Sequence, residues 1–214
     1  MKFLLRHWYN ISAFIGVFCI IIAIIFWNDF SLLQGLVLLN LAVINFHFFE
    51  EFGFPGGFPK FANTIFAPKN STRPDRYPLN QLSALVINWL TGTVMYLLPV
   101  FFPNAIWLGL GAVIFGGVMQ LLVHGIYNNI VLKSFYNAGL ASVILGHLPI
   151  AIVYIYYVTV HNLASGWDWF FGILFIFFWY IVIIRIAIPK LFEDPNSPYA
   201  FDKVEMNRFK GVKK

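Results

Sequence analysis

Six long apolar stretches, each of about 20 residues, most constrain what this chain can fold into, because about 20 helical residues cross the 30 Å core of a bilayer. Of the residues, 60% are hydrophobic and only 11% are charged, whereas a soluble domain carries about 25% charged residues. We therefore predict an all-α, polytopic membrane bundle of six transmembrane helices in one domain over residues 1–190, with a tail over residues 191–214. The predicted spans are roughly 11–27, 30–51, 82–102, 105–131, 140–161 and 169–188.

The Lys and Arg residues predict the orientation of this bundle. With a cytoplasmic N-terminus, six spans return the C-terminus to the cytoplasm, and all fourteen basic residues lie on the inner side, as the positive-inside rule requires. They are Lys2, Arg6, Lys60, Lys69, Arg73, Arg76, Lys133, Arg185, Lys190, Lys203, Arg208, Lys210, Lys213 and Lys214. The sequence thus predicts a multi-pass protein of the cell membrane, the inner membrane in a bacterium. The net charge of +5 fits this topology, so we expect no nucleic-acid partner, and we expect the polar tail to lie on the membrane surface or to be loose.

The second predicted span ends with ionisable residues, which are costly inside a membrane. His47, Glu50 and Glu51 are spaced i, i+3 and i+4, so their side chains share one helix face, and Asn40 lies about two turns earlier on that face. Negative charge at a helix C-terminus is unfavourable with the helix dipole. A nearby cation or metal ion is therefore expected.

Polar residues of other spans are predicted at a similar depth. Gln120, His124 and Asn128 are spaced i, i+4 and i+8 on the fourth span and form a stripe. Asn88 of the third span and Arg185 of the sixth lie near the same membrane face. Ionisable residues within spans usually face the bundle interior and mark functional sites. We therefore predict one shared polar site that opens toward the cytoplasm.

Each of these residues also has a purely structural interpretation. The glutamates can be solvated at a helix end or can pair with Arg185, and Asn88 and Gln120 can form hydrogen bonds that hold helices together. His147, deeper in the fifth span, fits a core histidine bonded to a neighbour. Cys19, the single cysteine, fits a small buried side chain and cannot form an intrachain disulfide.

The sequence resembles the HXXEE-domain family of membrane proteins. The naming motif stands here as His-Phe-Phe-Glu-Glu at 47–51, and an HxxxN pattern stands as His-Gly-Ile-Tyr-Asn at 124–128. Asn88, followed by Pro99, matches an asparagine of the helix between them. FYNAGL resembles the family's Tyr-x-Pro-Gly-Leu stretch, with Ala138 in place of proline. The similarity covers most of residues 39–155 and implies a class of membrane protein rather than a reaction, since the family has no secure biochemical function.

A weaker similarity concerns mechanism. Intramembrane proteases of the CAAX-processing and bacteriocin-processing type also use paired glutamates and an HxxxN helix, and the glutamates at 50–51 and the pattern at 124–128 are similar to these elements. The EExxxR pattern of those proteases is absent, because Phe54 and Pro55 follow the glutamates here. This resemblance is therefore an analogy only.

The first functional hypothesis is a membrane-embedded hydrolase or transferase, and it has two versions. In one, His47, His124 and either Glu50 or Glu51 bind a divalent metal such as zinc, and the other glutamate acts as a base. In the other, no metal is bound; a glutamate activates water, and His124 and Asn128 stabilise the oxyanion. Asn88 is a further catalytic candidate.

Both versions predict attack on an ester, amide or phosphoester at the inner leaflet. The expected partners are membrane lipids and a lipophilic small-molecule substrate, with Arg185 holding an anionic head group and Gln120 lining the substrate site. The sequence sets neither the substrate nor the oligomeric state.

Two hypotheses from other classes stay open. An ion- or proton-coupled transporter can use buried Glu, His and Asn residues, although the predicted cluster lies at one membrane face and no inverted repeat is visible. A structural membrane protein can use the same cluster to pack its helices. The sequence lacks the histidine boxes of di-iron enzymes and the GxSxG, P-loop, GxGxxG and CxxC motifs. Serine, cysteine and redox-cofactor mechanisms therefore have no support.

Overall fold

The protein, seen in a computed structural model, is described over residues 2–68 and 71–208. These residues form an all-helical fold without strands, and six of their helices are long and apolar enough to cross a membrane. The predicted multi-pass helical bundle is thus confirmed. The six spans are α1 (Lys2–Ile25), α2 (Leu32–Phe52), α4 (Gln81–Phe101), α5 (Ile106–Leu132), α6 (Leu140–Val160) and α7 (Gly166–Phe192). Two short helices, α3 (Phe58–Ile65) and α8 (Lys203–Asn207), lie outside the spans.

The first span begins well before its predicted start at residue 11. The turns before residue 11 contain polar residues, so the apolar pattern did not include them in the span. One face of these turns nevertheless packs against the end of α2. Trp8 is 1% exposed, and its ring lies 5.9 Å from that of Phe48 and 4.9 Å from that of Phe52, centroid to centroid. This aromatic packing extends α1 beyond its apolar stretch and supports the end of α2 that carries the glutamates.

The fourth and fifth spans approach closely through small residues. A Cβ atom on Gly117 would lie 2.4 Å from the Cβ of Ala151 on α6, a distance that no side chain tolerates. Glycine at this position therefore lets the backbones of α5 and α6 come together, as small residues do where membrane helices pack. This contact holds the α5 and α6 residues of the candidate site next to each other.

The long connection between α2 and α4 defines what we call the loop side of the bundle. Because successive spans run in opposite directions, α1, α4 and α6 begin on this side, and α2, α5 and α7 end on it. The orientation was predicted from the Lys and Arg residues, and those that the structure describes all lie on this side of the bundle. Lys69, Lys210, Lys213 and Lys214 lie outside the described residues. The assignment of the loop side to the cytoplasm stays a prediction.

The first part of the tail is packed rather than loose, and the alternative expectation, that the tail lies on the membrane surface, stays a prediction. The Gln81 amide donates to the carbonyl oxygen of Tyr199 at 2.9 Å, and the Phe201 amide donates to that of Asp75 at 2.8 Å. The Gln81 side chain also donates to Glu205 Oε2 at 2.9 Å. These bonds tie residues 199–205 to the long loop and to the start of α4, and side-chain patterns in the sequence do not reveal such pairings.

Candidate metal-binding site

Two histidines and one glutamate bring their ligand atoms together on the loop side. The Nε2 atoms of His47 and His124 lie 3.7 Å and 3.5 Å from Glu51 Oε1, and one potential ligand atom from each residue lies within 4.8 Å of the others. All three side chains are buried, with exposed fractions of 1%, 2% and 4% in the order His47, His124 and Glu51. The predicted meeting of the α2 and α5 side chains is therefore present in the structure.

Local helix geometry explains how these residues meet. His47 and Glu51 are i, i+4 neighbours on the last turns of α2, so they project to the same side. His124 lies in a π-helical part of α5 that runs from Leu121 to Tyr127. Such wider turns inside α-helices are frequent at functional sites.

Hydrogen bonds determine which ring nitrogen of His124 carries the proton. The side-chain nitrogen of Asn137 donates to the backbone oxygen of His124 at 2.6 Å and to Asn129 Oδ1 at 2.7 Å. The other terminal atom of Asn137 is therefore its oxygen, and it lies 2.8 Å from His124 Nδ1. His124 Nδ1–H donates to this oxygen, which leaves a lone pair on Nε2, the atom that faces Glu51.

A serine has the same effect on His47. The Ser142 hydroxyl lies 2.7 Å from Glu50 Oε2 and 2.9 Å from the Gly139 carbonyl oxygen, and both of these atoms only accept hydrogen bonds. The single hydroxyl proton is directed to one of them, so Ser142 Oγ accepts from His47 Nδ1–H at 2.9 Å. The lone pair of His47 therefore also lies on Nε2.

The first glutamate of the motif has a different environment from the second. Glu50 accepts hydrogen bonds from the Tyr136 hydroxyl at 2.8 Å, the Ala141 amide at 2.9 Å, and the Ser142 amide and hydroxyl at 2.8 Å and 2.7 Å. The two amides belong to the first turn of α6, where the helix dipole favours an anion. Burial and the Glu50 carboxylate raise the pKa of Tyr136, which keeps its hydroxyl a donor.

These contacts bear on two sequence-based interpretations. Glu50, predicted as a possible metal ligand, is absent from the cluster of potential ligand atoms and is held by α6 instead. The structural account in which Arg185 pairs with a glutamate is wrong, because no Lys or Arg nitrogen in the described residues lies within 4.0 Å of either Glu50 or Glu51.

A cavity of about 470 Å³ lies beside the ligand cluster, between parts of α2, α3, α4, α5 and α7. Its walls are mostly apolar and include the aromatic side chains of α3, a short helix that contributes Phe58 and Phe61. The lining contains the predicted site residues His47, Glu51, Asn88, Gln120, His124, Asn128 and Arg185. The structure thus brings every predicted site residue except Glu50 to a single cavity.

His147 lies outside the ligand cluster. Its Nδ1 atom lies 2.6 Å from Asn40 Oδ1, and its ring is 6.0 Å from that of His47, centroid to centroid. His147 is fully buried, and its Nε2 atom has no hydrogen-bond partner within residues 2–68 and 71–208. The interpretation as a core histidine bonded to a neighbour agrees with this geometry.

Sequence reasoning missed the residues that hold the ligands. Tyr136, Asn137 and Gly139 come from the connection between α5 and α6, Ser142 comes from the first turn of α6, and these residues contact Glu50 or the two imidazoles. The available signal was the stretch FYNAGL, which contains three of these four residues and to which the resemblance assigned no role.

Fold and site together define a polytopic membrane protein with a buried His/Glu cluster at one end of its helix bundle. The family model described as "Protein of unknown function with HXXEE motif" matches residues 38–154, more than half of the chain, and the protein belongs to this family. The match contains both motif histidines and the connection that holds them. No curated protein and no solved structure matched the chain.

Proposed function

We propose that the protein is a membrane-embedded, metal-dependent hydrolase or transferase that acts on a lipid-like substrate at the loop side of the bundle. The observation that carries this proposal is the convergence of His47 Nε2, His124 Nε2 and the Glu51 carboxylate at the wall of a largely apolar cavity. A site for chemistry and a site for a lipophilic molecule are thus adjacent.

The ligand set fits a divalent metal such as zinc. Catalytic zinc sites commonly use three protein ligands of N and O type and keep a fourth position open. Tetrahedral bonds of about 2.0–2.1 Å place ligand atoms about 3.4 Å apart, and two of the distances here are 3.7 Å and 3.5 Å. Both histidines direct a lone pair to the centre, and each has its other nitrogen bonded to a fixed partner, as is usual for metal ligands.

Electrostatics also support a cation at this position. Glu51 is 4% exposed, and only the two imidazoles lie within ion-pairing distance of it among the described residues. It lies at the C-terminal end of α2, where the helix dipole disfavours negative charge. Burying an uncompensated carboxylate costs several kcal/mol. A divalent ion between the three ligands removes this cost.

Such an ion supplies an activated water and a Lewis acid for a carbonyl or phosphoryl oxygen. The second oxygen of Glu51 can hold the proton that a water molecule loses. The amide nitrogen of Asn128 is directed toward Asn137 Oδ1 at 3.4 Å, and Asn128 Oδ1 is buried and has no hydrogen-bond partner among the described residues. It is therefore suited to accept a hydrogen bond from a bound N–H or O–H rather than to donate one to an oxyanion.

The cavity suggests the substrate class. Its apolar walls suit an acyl or isoprenoid chain, and Gln120 and Asn88 add polar groups near the ligand cluster. Arg185 also lines the cavity and has no carboxylate within 4.0 Å among the described residues. We therefore expect an amphiphile with an ester, amide or phosphoester bond and an anionic group that Arg185 contacts.

Metal analysis of the purified protein tests this proposal. The wild type and the variants His47→Ala, His124→Ala and His161→Ala are exposed to zinc, freed of excess metal and analysed by mass spectrometry for bound ions. His161 is an exposed histidine at the opposite end of the bundle and serves as the matched control. We expect one ion per chain in the wild type and His161→Ala, and loss of that ion in the other two variants.

Two outcomes contradict the proposal. Equal metal content in all four proteins places the ion elsewhere. A metal-free wild type that hydrolyses a lipid ester and loses this activity in Glu51→Gln instead supports the version in which a glutamate activates water.

A further inference from the structure

The Nδ1 atoms of both candidate metal ligands are held by one short segment, residues 136–142. We propose that Ser142 and Asn137 are positioning residues that set the metal affinity of the site, and that Glu50 acts through Ser142. This inference rests on the proposed function, since it concerns the same metal. It assigns different roles to the two glutamates of the motif: Glu51 is a ligand, and Glu50 orients a ligand.

The argument for His47 follows the chain of hydrogen bonds outward from the cluster. The imidazole Nδ1–H donates to Ser142 Oγ at 2.9 Å, and the hydroxyl of Ser142 lies 2.7 Å from Glu50 Oε2. Glu50 is in turn fixed by the amides of Ala141 and Ser142 at 2.9 Å and 2.8 Å. Backbone groups of α6 therefore determine the ring orientation and the tautomer of His47 through two intermediate side chains.

The argument for His124 is parallel but uses an amide. Asn137 is 3% exposed, and its oxygen accepts from His124 Nδ1–H at 2.8 Å. Its side-chain nitrogen donates to the backbone oxygen of His124 at 2.6 Å, so a 180° flip of the Asn137 amide would lose this hydrogen bond. Without this acceptor, the proton of neutral His124 can move to Nε2, which removes the lone pair that a metal needs.

Groups that bind the second nitrogen of a histidine ligand commonly change metal affinity 10–100-fold when they are removed. A residue that merely supports the fold has a different effect: its removal lowers the melting temperature but leaves the affinity of the folded fraction unchanged. Metal affinity and thermal stability therefore separate the two roles, and a conservative variant that keeps the acceptor atom gives an independent check.

The test measures the dissociation constant for Zn²⁺ by competition with a chromophoric chelator, on the full-length protein in a non-ionic detergent. Ser142→Ala and Asn137→Leu remove the acceptors, whereas Ser142→Thr keeps a hydroxyl oxygen at position 142. Ser12→Ala is the matched control, because Ser12 is fully buried and its hydroxyl has no hydrogen-bond partner in the part of the chain that the structure describes. The melting temperature of each metal-free protein is measured in parallel.

We expect a 10–100-fold weaker affinity in Ser142→Ala and Asn137→Leu, and values within about threefold of the wild type in Ser142→Thr and in Ser12→Ala. Unchanged zinc affinity in both Ser142→Ala and Asn137→Leu overturns this inference but leaves the proposed function intact. A wild type that binds no zinc overturns the proposed function itself.

A second measurement does not depend on whether the variants fold. In the metal-free wild type, ¹⁵N chemical shifts of labelled histidine side chains report which ring nitrogen is protonated. The inference requires protonated Nδ1 and unprotonated Nε2 in both His47 and His124. A protonated Nε2 in either of these residues contradicts it.

Discussion

Replacement of Gly139 by alanine is expected to disturb both imidazoles at once. Gly139 has φ +103°, in the left-handed region, where an L-residue costs about 1–2 kcal/mol. A Cβ atom there would lie 2.5 Å from His124 Cε1 and 2.8 Å from His47 Cε1. Ordinary contact between carbon atoms needs about 3.5 Å, so at least one ring must move by roughly 1 Å.

This movement cannot be absorbed by flexible side chains. Both rings are buried and bonded at Nδ1, His47 to Ser142 and His124 to Asn137. Inserting a carbon atom into a packed interior costs about 1–3 kcal/mol, so together with the backbone strain we expect a loss of about 2–5 kcal/mol in the free energy of unfolding. The displaced ligands are also expected to weaken zinc binding at least tenfold, because metal sites need ligand positions to within about 0.5 Å.

Thermal unfolding in non-ionic detergent, followed by circular dichroism, and zinc titration measure the two effects. Gly166→Ala is the matched control, because a Cβ atom at Gly166 meets no atom of the described chain within 4 Å. We expect Gly166→Ala to melt and bind zinc like the wild type. If Gly139→Ala behaves in the same way as this control, the placement of the α5–α6 connection between the two imidazoles is wrong.

Three further predictions concern the charged residues. Glu50→Gln is expected to lower the free energy of unfolding by about 2–4 kcal/mol, because an amide group then faces the donors of α6, while Glu51→Gln raises the metal-free stability, because it removes an uncompensated buried carboxylate, and abolishes zinc binding; equal melting temperatures of these two metal-free variants would refute this. Arg185→Gln is expected to weaken binding of dodecyl phosphate about tenfold by calorimetry, relative to Lys190→Gln, with no change for an uncharged dodecyl glycoside; an equal loss for both amphiphiles counts against an anion site. Burial raises the pKa of Glu205, so the folded state disfavours the ionised carboxylate. The stability that Glu205 contributes is therefore greatest below the usual glutamate pKa, and it is lost as the pH rises through the raised pKa. Melting temperatures of Glu205→Gln measured across this range should lack that part of the pH dependence, and a curve parallel to the wild type contradicts the assignment.

Much of the fold could be predicted from the sequence, because membrane spans can be recognised from the length and hydropathy of a segment. The second span was predicted at 30–51 and is Leu32–Phe52 in the structure. The first span was predicted too short, since its early turns are fixed by the packing of Trp8 on α2 rather than by apolar content. The path of the tail depends on backbone hydrogen bonds to the loop, and every residue type except proline can form such bonds, so the sequence does not reveal them.

The candidate site was predictable where helix periodicity and membrane depth applied. The spacing of His47 and Glu51, and the depth of His124, placed these three residues together. The sequence could not predict that Glu50 binds the backbone amides of α6 while Glu51 faces the histidines. Neighbouring residues of a helix point in different directions, and only the position of α6 decides which carboxylate accepts hydrogen bonds from its amides. The contacts of Tyr136 with Glu50 and of Ser142 with His47 join residues that are 86 and 95 positions apart in the sequence, so they depend on the tertiary structure.

The central claim is that His47, Glu51 and His124 form one metal site, and the most direct test is anomalous X-ray scattering at the zinc edge from crystals of the zinc-loaded protein. The claim predicts a single strong peak within about 2.0–2.2 Å of both Nε2 atoms and a Glu51 carboxylate oxygen. An empty cluster in such crystals, or a peak bound to other residues, contradicts it.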